Sequence, residues 1–444
     1  MKFTSTRSGK AISLDDALVS GIAPDGGLFV PVPLPRFDIA DFENASSIVN
    51  VASVLLAPFF ENSILEPEFE AIIGETFSFP MPLTELPVAA GRAHLLELFH
   101  GPTAAFKDVG ARFLAACLTR LQKSEKDPLT ILVATSGDTG GAVAAAFNER
   151  PGIRVVVLFP DRRVSDRQAR QLSCWGDNVL TLAVEGTFDD CQALVKQAMA
   201  DPALKGRYRF GSANSINIGR LLPQCSWYAY ASLARYRQTG LKPSFIVPTG
   251  NLGNGLALLL TRRMGLPVGD AILSTNANRV IADFLGSGEW QPRASIPTLA
   301  TAMDVGNPSN MERLRAIFDA TALHRIMRVC SVTNEQIEGE IRQNHAEFGV
   351  AICPHTATAA YAYRQLDDTE RRMKDWIIVA TAHPAKFEQT VEPLIGQTLP
   401  VPDSLREILQ RPGRSVSIAP DLREFAEALR GAFRLDGDAV AGDK

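Results

Sequence analysis

A series of short apolar runs, rich in β-branched residues, constrains this chain more than any other feature. Thr130 to Ala134 (TILVA), Arg154 to Phe159 (RVVVLF), Phe245 to Val247 (FIV), Ala271 to Leu273 (AIL) and Trp376 to Ala380 (WIIVA) lack the polar alternation of a strand with one wet face. Such runs are buried on both faces, as happens in parallel sheets covered by helices. Ala- and Leu-rich helical stretches intervene, including Val109 to Gln122 and Gly255 to Met264. Strand alternating with helix predicts an α/β fold of open, mostly parallel, twisted sheets.

In such sheets ligands collect outside the carboxyl ends of the strands. The segment after each run therefore matters. TILVA leads into Thr135 to Gly141 (TSGDTGG), FIV into Pro248 to Gly255 (PTGNLGNG) and WIIVA into Thr381 to Phe387 (TAHPAKF). All three are small, polar and turn-forming, so three strands are expected to deliver ligand-binding loops to one edge.

A length of 444 residues allows two or three domains and a cleft between them. Residues 1–88, with Pro24, Pro31, Pro33 and Pro35 ahead of an apolar helical patch at Ile48 to Phe60, read as an N-terminal module. Residues 89–215 read as a smaller α/β domain and 216–400 as a larger one, the two flanking the cleft. Residues 401–444 read as a helical tail, with a helix over Asp421 to Phe433 and a frayed polar end from Asp436 to Lys444.

Charge narrows the partners. Lys+Arg 45 against Asp+Glu 49 leaves −4 without a basic run, which argues against a nucleic-acid partner held by phosphate contacts. No window approaches the roughly 18 apolar residues that span a bilayer, and MKFTSTRSGK has no signal-peptide pattern. A cytoplasmic protein without a membrane partner is expected. The cysteines (Cys117, Cys174, Cys191, Cys225, Cys330, Cys353) are far apart without a CxxC, and the histidines form no HExxH. No metal site or disulfide framework is expected, and the cysteines read as small buried apolar residues.

Two stretches carry candidate chemistry. Pro248 to Gly255 sets glycines and asparagines between a strand and a helix, where backbone N–H groups and the helix N-terminus favour an anion. It matches neither GxxxxGK[ST] nor GxGxxG, so nucleoside triphosphates and dinucleotides are not its natural guests; the competing reading is a plain tight turn. In Gly101 to Asp108 (GPTAAFKD), Lys107 comes after an apolar stretch at the mouth of a helix, where burial and the positive helix end lower an ammonium's pKa. Such a lysine is a Schiff-base nucleophile, unless it simply projects into water. Cradle and amine together suit an aldehyde cofactor that carries a phosphate.

The combination of GPTAAFKD, SGDTGG, GNLGN and TAHPAKF resembles the pyridoxal-phosphate enzymes of the tryptophan-synthase β-subunit fold type. Within that group the chain, from Phe3 to about Pro393, is similar to the threonine synthases. Ser5 to Pro31 (STRSGKAISLDDALVSGIAPDGGLFVP) resembles the opening of their longer bacterial and fungal branch, which other enzymes of the fold type lack.

The resemblance implies that Lys107 forms the Schiff base with pyridoxal 5'-phosphate and that Gly250, Asn251, Leu252, Gly253 and Asn254 hold its phosphate. It also implies that Thr381 sets a hydroxyl against the pyridine nitrogen. A hydroxyl cannot give that nitrogen a full proton as an aspartate can, so the ring becomes a weaker electron sink. Asp138 stands where many relatives have an Asn facing the ring oxygen. An Asp there is protonated or points elsewhere, or it caps the following helix. Thr135, Ser136, Gly137 and Thr139 are implied as donors to the substrate carboxylate.

In Gly211 to Gln224 (GSANSINIGRLLPQ), Asn214, Ser215, Asn217 and Arg220 resemble the family's substrate-phosphate site. A guanidinium fork suits a phosphate ester better than an ammonium does; the competing reading puts Arg220 on a helix surface. Bland readings hold elsewhere. Arg112 is expected to pair at the surface, His100 and His383 to be satisfied structural histidines, and Lys386 to be solvated. Arg162 and Arg163 are expected on the surface, and Asp189 with Asp190 reads as an exposed helix start.

The implied reaction converts O-phospho-L-homoserine and water to L-threonine and phosphate by γ-elimination and β-addition of water, in a monomer or homodimer. Three rivals stand beside it. A phospho-lyase releasing 2-oxobutanoate shares the binding motifs, a threonine dehydratase needs no second phosphate site, and a non-catalytic sensor needs neither Lys107 nor GNLGN.

Overall fold

The computed structural model describes every residue except 89–90, 124–126, 162–163 and 434–444. Arg162, Arg163 and the polar end from Asp436 to Lys444 therefore lie outside the described residues. The N-terminal region opens with three antiparallel strands in the order β2-β1-β3: β1 (Lys2–Ser5), β2 (Ala11–Ile12) and β3 (Phe29–Val32). The helix Ile48–Phe60 starts where Ser47 accepts a bond from the Asn50 N–H, and it buries Val51, Leu55, Leu56, Phe59 and Phe60 along one face. Phe60 meets Phe113 edge-on at 5.9 Å, so the module's apolar side chains join the core beneath the helix Lys107–Gln122. Burying each such ring contributes about 1.5–3 kcal/mol.

The remaining strands form two larger sheets, and the chain crosses between them. It lays β4 (Leu83–Leu86) and β5 (Arg92–Glu97) in a six-stranded sheet, then moves to a five-stranded one for β6 (Leu129–Ala134), β7 (Ile153–Pro160), β8 (Val179–Val184) and β9 (Arg209–Ser212). It returns to the first sheet for β10 (Ser244–Pro248), β11 (Ala271–Thr275), β12 (Arg328–Ser331) and β13 (Asp375–Ala380). β14 (Val416–Ile418) closes the second. The orders are β12-β11-β10-β13-β5-β4 and β14-β8-β7-β6-β9, and every pair is parallel except β4 with β5. All the apolar runs singled out in the sequence are central or near-central strands of these sheets, and β6, β10 and β13 are buried throughout.

The sheets do not respect the expected segment boundaries. β5, from the segment expected to form the smaller α/β unit, pairs with β13 in the six-stranded sheet. The tail is not a bare helical appendage either. β14 extends the five-stranded sheet beside β8, and the helix Leu422–Ala432 packs Phe425 and Leu429 against Leu182, Val184 and Leu194. β14 covers the outer edge of β8, whose backbone groups would otherwise be left unpaired. Among the cysteines, Cys330 is only partly buried and the rest are buried, all with free thiols.

Candidate active site

The segments after five parallel strands meet one another. Behind β5 and β13, the Phe106 N–H donates to the Thr381 carbonyl at 2.8 Å, the His383 N–H donates to the Ala104 carbonyl at 3.0 Å, and Ala105 bridges Ala382. Behind β6, Asp138 Oδ1 lies 2.8 Å from Lys386 Nζ of the β13 loop. Behind β9, Arg220 Nη2 reaches the Lys107 carbonyl at 3.5 Å, and the Ser215 hydroxyl accepts from Asn251 of the β10 loop. The three loops expected at one edge are joined by two more, those after β5 and β9.

Lys107 is the first residue of its helix. Burial pushes its ammonium down to about 8; the Asp138 carboxylate opposes this, while Lys386 and Arg220 reinforce it. The next turn of helix lies against Arg220 so closely that a Cβ on Gly110 would sit 2.8 Å from the Arg220 carbonyl. Arg220 is buried rather than on a helix surface. Its Nη1 donates to the Ala213 carbonyl at 2.5 Å, burial lowers its pKa to about 10, and its Nε has no protein partner.

The β10 loop has the geometry of an anion cradle. Leu252 adopts a left-handed φ of 65° before the helix Gly253–Arg263, which costs a branched residue about 1 kcal/mol or more. The first helical N–H groups have no acceptor of their own; Leu256 is the first to find one, at the Leu252 carbonyl. A Cβ on Gly250 would sit 2.7 Å from the Met303 Cα, so only glycine fits where the loop turns against that backbone. Asn251 is fixed by donating to Ser215 and accepting from the Ser309 N–H. The Asn254 side chain faces inward, accepting from Tyr228 at 2.6 Å and donating to the Pro248 carbonyl at 3.2 Å, which leaves its backbone N–H as its contribution to the cradle.

Other expected residues are redistributed. Thr135 Oγ1 accepts from the Gly137 and Gly140 N–H groups at 3.0 and 2.8 Å, shaping the loop in which Ser136 and Thr139 remain partly exposed. Asn214 and Ser215 are partly exposed beside Asn251, but Asn217 is fully buried. Both amide hydrogens of Asn217 go to the carbonyls of Leu18 and Ser212, at 2.8 and 3.0 Å, and its oxygen caps Gly219. Its side chain therefore cannot serve a phosphate. Thr381 is buried at the carboxyl end of β13, its N–H donating to Thr356 Oγ1 at 3.3 Å.

Lys386 departs most from its sequence reading. It is buried, not solvated, and its ammonium donates to the Thr103 carbonyl at 2.8 Å while pairing with Asp138. Asp138 begins its helix without capping it, since Gly137 holds the cap position, and nearby cations hold its carboxyl well below the usual range despite burial. His100 pairs with Glu97 at 2.7 Å, and His383 Nδ1 accepts from the Ala385 N–H at 3.2 Å. Arg112 turns away, donating to the Glu75 carbonyl and Ser78, and Asp190 closes a capping box with Thr187 beside exposed Asp189.

Sequence reasoning missed Asn310 and Arg313. Asn310 Nδ2 donates to the Asn251 carbonyl at 3.1 Å. Arg313, wholly buried, donates to the carbonyls of Phe29 at 2.9 Å, Ser215 at 3.3 Å and Ile216 at 2.6 Å, tying the N-terminal sheet to the β9 segment. The polar turn NPSN, Asn307 to Asn310, just before the helix Met311–Ile317 was the available signal.

The profile of pyridoxal-phosphate dependent enzymes matches residues 77–382, the span that holds Lys107 and the β10 loop, and the chain is of that class. Profiles of the threonine synthase N terminus and of its C-terminal region match residues 2–77 and 356–428. The chain belongs to the threonine synthase family. It is 39% identical to threonine synthase of Serratia marcescens over 95% of this chain and 96% of that one. Against threonine synthase of Escherichia coli the identity is 38%, over 94% and 96%. The crystal structure of the Escherichia coli protein covers 97% of this chain and 100% of its own, with a TM-score of 0.88 at 36% identity. That of pyridoxal-phosphate-bound threonine synthase from Brucella melitensis covers 98% and 100%, with a TM-score of 0.89 at 33% identity.

The residues present fit that cofactor. Buried Thr249 Oγ1, Gln224 Oε1 and Arg220 Nε have no protein partner, and they border the cradle and the β9 segment. Buried polar groups are normally paired, so such atoms in the β10 loop and in the segment after β9 fit a site for polar ligand atoms. Among the described residues no helix is long and apolar enough to cross a membrane.

Proposed function

We infer that this chain is a pyridoxal-phosphate-dependent lyase of threonine biosynthesis, converting O-phospho-L-homoserine and water to L-threonine and phosphate by γ-elimination and β-addition of water. The observation that carries the reading is the Lys107 amine, pushed down to about 8, in one ring of loops with the Gly250–Asn254 cradle. When bound, pyridoxal phosphate supplies an electron sink conjugated to the substrate's α carbon. In this reading Lys107 holds the cofactor, Gly250 to Gly253 and the Asn254 N–H receive its phosphate, and the Thr381 hydroxyl meets its ring nitrogen.

The chain's own groups do the rest. An amine with a pKa near 8 is more often neutral at cellular pH than an ordinary lysine, so Lys107 can take the α and β protons and later deliver protons to the γ carbon, which becomes the methyl group, and back to the α carbon. Ser136, Thr139 and the loop N–H groups orient the substrate carboxylate. Arg220, with its unpaired Nε, acts with Asn214 and Ser215 on the phosphate that departs, where a fixed guanidinium stabilises developing charge. Asn217 supports that segment from behind. Substrate and cofactor are small molecules, and the reading puts the enzyme in the cytoplasm as a monomer or homodimer, with no nucleic-acid or membrane partner.

Purified protein incubated with phosphohomoserine decides the matter when threonine and phosphate are monitored together. Equal release of both is expected. Phosphate accompanied by 2-oxobutanoate instead of threonine would make the chain a phospho-lyase.

A further inference from the structure

Lys386 and Asp138 form an ion pair that the reaction itself does not use. Lys386 Nζ lies 2.8 Å from Asp138 Oδ1, and the two side chains are 1% and 4% exposed. The ammonium is held from a second side by the Thr103 carbonyl, which also accepts from Gln171 Nε2 at 3.1 Å. Thr103 is in turn fixed by Asp108, whose carboxylate accepts from its hydroxyl at 2.6 Å and from its N–H at 2.9 Å. A lysine held so firmly in the interior needs an account, because a buried charge is costly unless it is compensated.

The groups that act on Lys107 show what the pair does. They are Asp138 at the start of Asp138–Phe147, Lys386 in Pro384–Phe387, Arg220 in Ile218–Leu221 and His355 in Pro354–Arg364. Asp138 is the one carboxylate in that set. Arg220 is engaged with the Ala213 and Lys107 carbonyls, and His355 Nε2 accepts from the Ala302 N–H at 3.1 Å, which requires a neutral ring. Both ammonium groups interact electrostatically with the Asp138 carboxylate, but only Lys386 is in contact with it, at 2.8 Å; the buried carboxylate of Asp108 is committed to Thr103. An amine captured by the Asp138 carboxylate would be held protonated and could not attack an aldehyde.

We propose that Lys386 is a positioning residue for Lys107: it occupies the Asp138 carboxylate and so leaves the Lys107 amine unpaired and nucleophilic. The proposal rests on Lys107 being the Schiff-base lysine. It also gives a reason for an aspartate at position 138, since an asparagine there would need no counter-cation and a lysine beside it would be left uncompensated.

The test uses the full-length chain freed of cofactor with hydroxylamine, to which pyridoxal phosphate is added back while imine absorbance is recorded across pH. Lys386→Met should move the midpoint of the rate profile upward by a unit or more, slowing capture about tenfold near neutral pH and recovering in alkali. The pair variant Asp138→Asn with Lys386→Met should return the midpoint to that of the parent, because the competing carboxylate is gone. A Lys386→Met profile like the parent's, or a pair variant displaced as far as the single one, overturns the proposal. If Lys386→Met does not fold, a pair variant with the parent's profile supports it; failure of both to fold assigns the ion pair to stability and overturns it. Absence of any imine in the parent chain would instead remove Lys107 from its role, a separate result.

Discussion

The backbone N–H of Phe106 donates to the carbonyl of Thr381 at 2.8 Å. The residue before Lys107 is thereby locked to Thr381, so in the proposed roles, Lys107 as the Schiff-base lysine and the Thr381 hydroxyl at the ring nitrogen, main chain alone would register the two groups. Thr381→Val keeps that bond and replaces only the hydroxyl by a methyl of similar size. The expected result is a shifted absorbance maximum of the bound cofactor and at least about a tenfold lower kcat, with stability changed by less than about 1.5 kcal/mol. An unaltered spectrum and turnover would mean that another group faces the ring nitrogen.

Lys107→Ala removes the amine and leaves the cradle. Cofactor should still bind through its phosphate, but the borohydride-reducible imine absorbance should vanish, and turnover should fall by at least about a thousandfold. Retention of a reducible imine in this variant, located on another lysine by peptide mapping, would reassign the nucleophile.

Much of the fold and site was legible in the chain because local signals agreed with tertiary roles. Unbroken apolar runs such as TILVA and WIIVA became the buried strands β6 and β13, and the turn-forming sequels of β6, β10 and β13 became loops that meet at one edge. β5 was not legible. His94 breaks its apolar pattern, and only the fold supplies Asp375 at 3.3 Å, itself paired with Arg235 at 2.7 Å, to make that histidine tolerable inside. Lys386 was misread for the same reason: its counter-ion lies in a different sheet's loop. Asn217 looked like a ligand residue because the Leu18 carbonyl that consumes it belongs to the N-terminal helix Leu14–Ser20. A polar side chain declares its type in the sequence, whereas its partner is declared only by the fold.

Arg220→Lys keeps a charge but loses the fork. The Ala213 carbonyl bond can be kept by an ammonium, whereas the unpaired Nε direction cannot. KM for phosphohomoserine should rise about tenfold to a hundredfold while imine absorbance is retained. Equal loss of cofactor and substrate binding would show that Arg220 serves only to hold the β9 segment.

Arg313→Met tests the buried strut. It leaves the carbonyls of Phe29 and Ile216 without this donor, and each such loss costs about 1–3 kcal/mol. Denaturant unfolding should register a loss of about 3 kcal/mol or more, and KM should rise because Ser215 loses its support, with the imine spectrum unchanged. A variant as stable as the parent would mean that the N-terminal sheet is held to the β9 segment by other contacts.

Acid should unfold the protein partly through His355. Burial pushes its imidazolium down to about 4 from the ordinary value of 6.5, and its Nε2 is committed as an acceptor from the Ala302 N–H. Between those two pH values the unfolded chain binds more protons at this site than the folded one, so stability rises with pH through the window. It is complete above about 6.5 and lost as pH falls toward 4. His383 contributes in the same sense, burial taking it to about 4 as well. His355→Gln keeps an acceptor for Ala302 but cannot titrate. Its Tm should fall less steeply than the parent's over that range, the difference in slope approaching one proton, or about 1.4 kcal/mol per pH unit. Identical slopes in the two proteins would mean that His355 is already charged in the fold, and the Ala302 bond would have to be discarded with it.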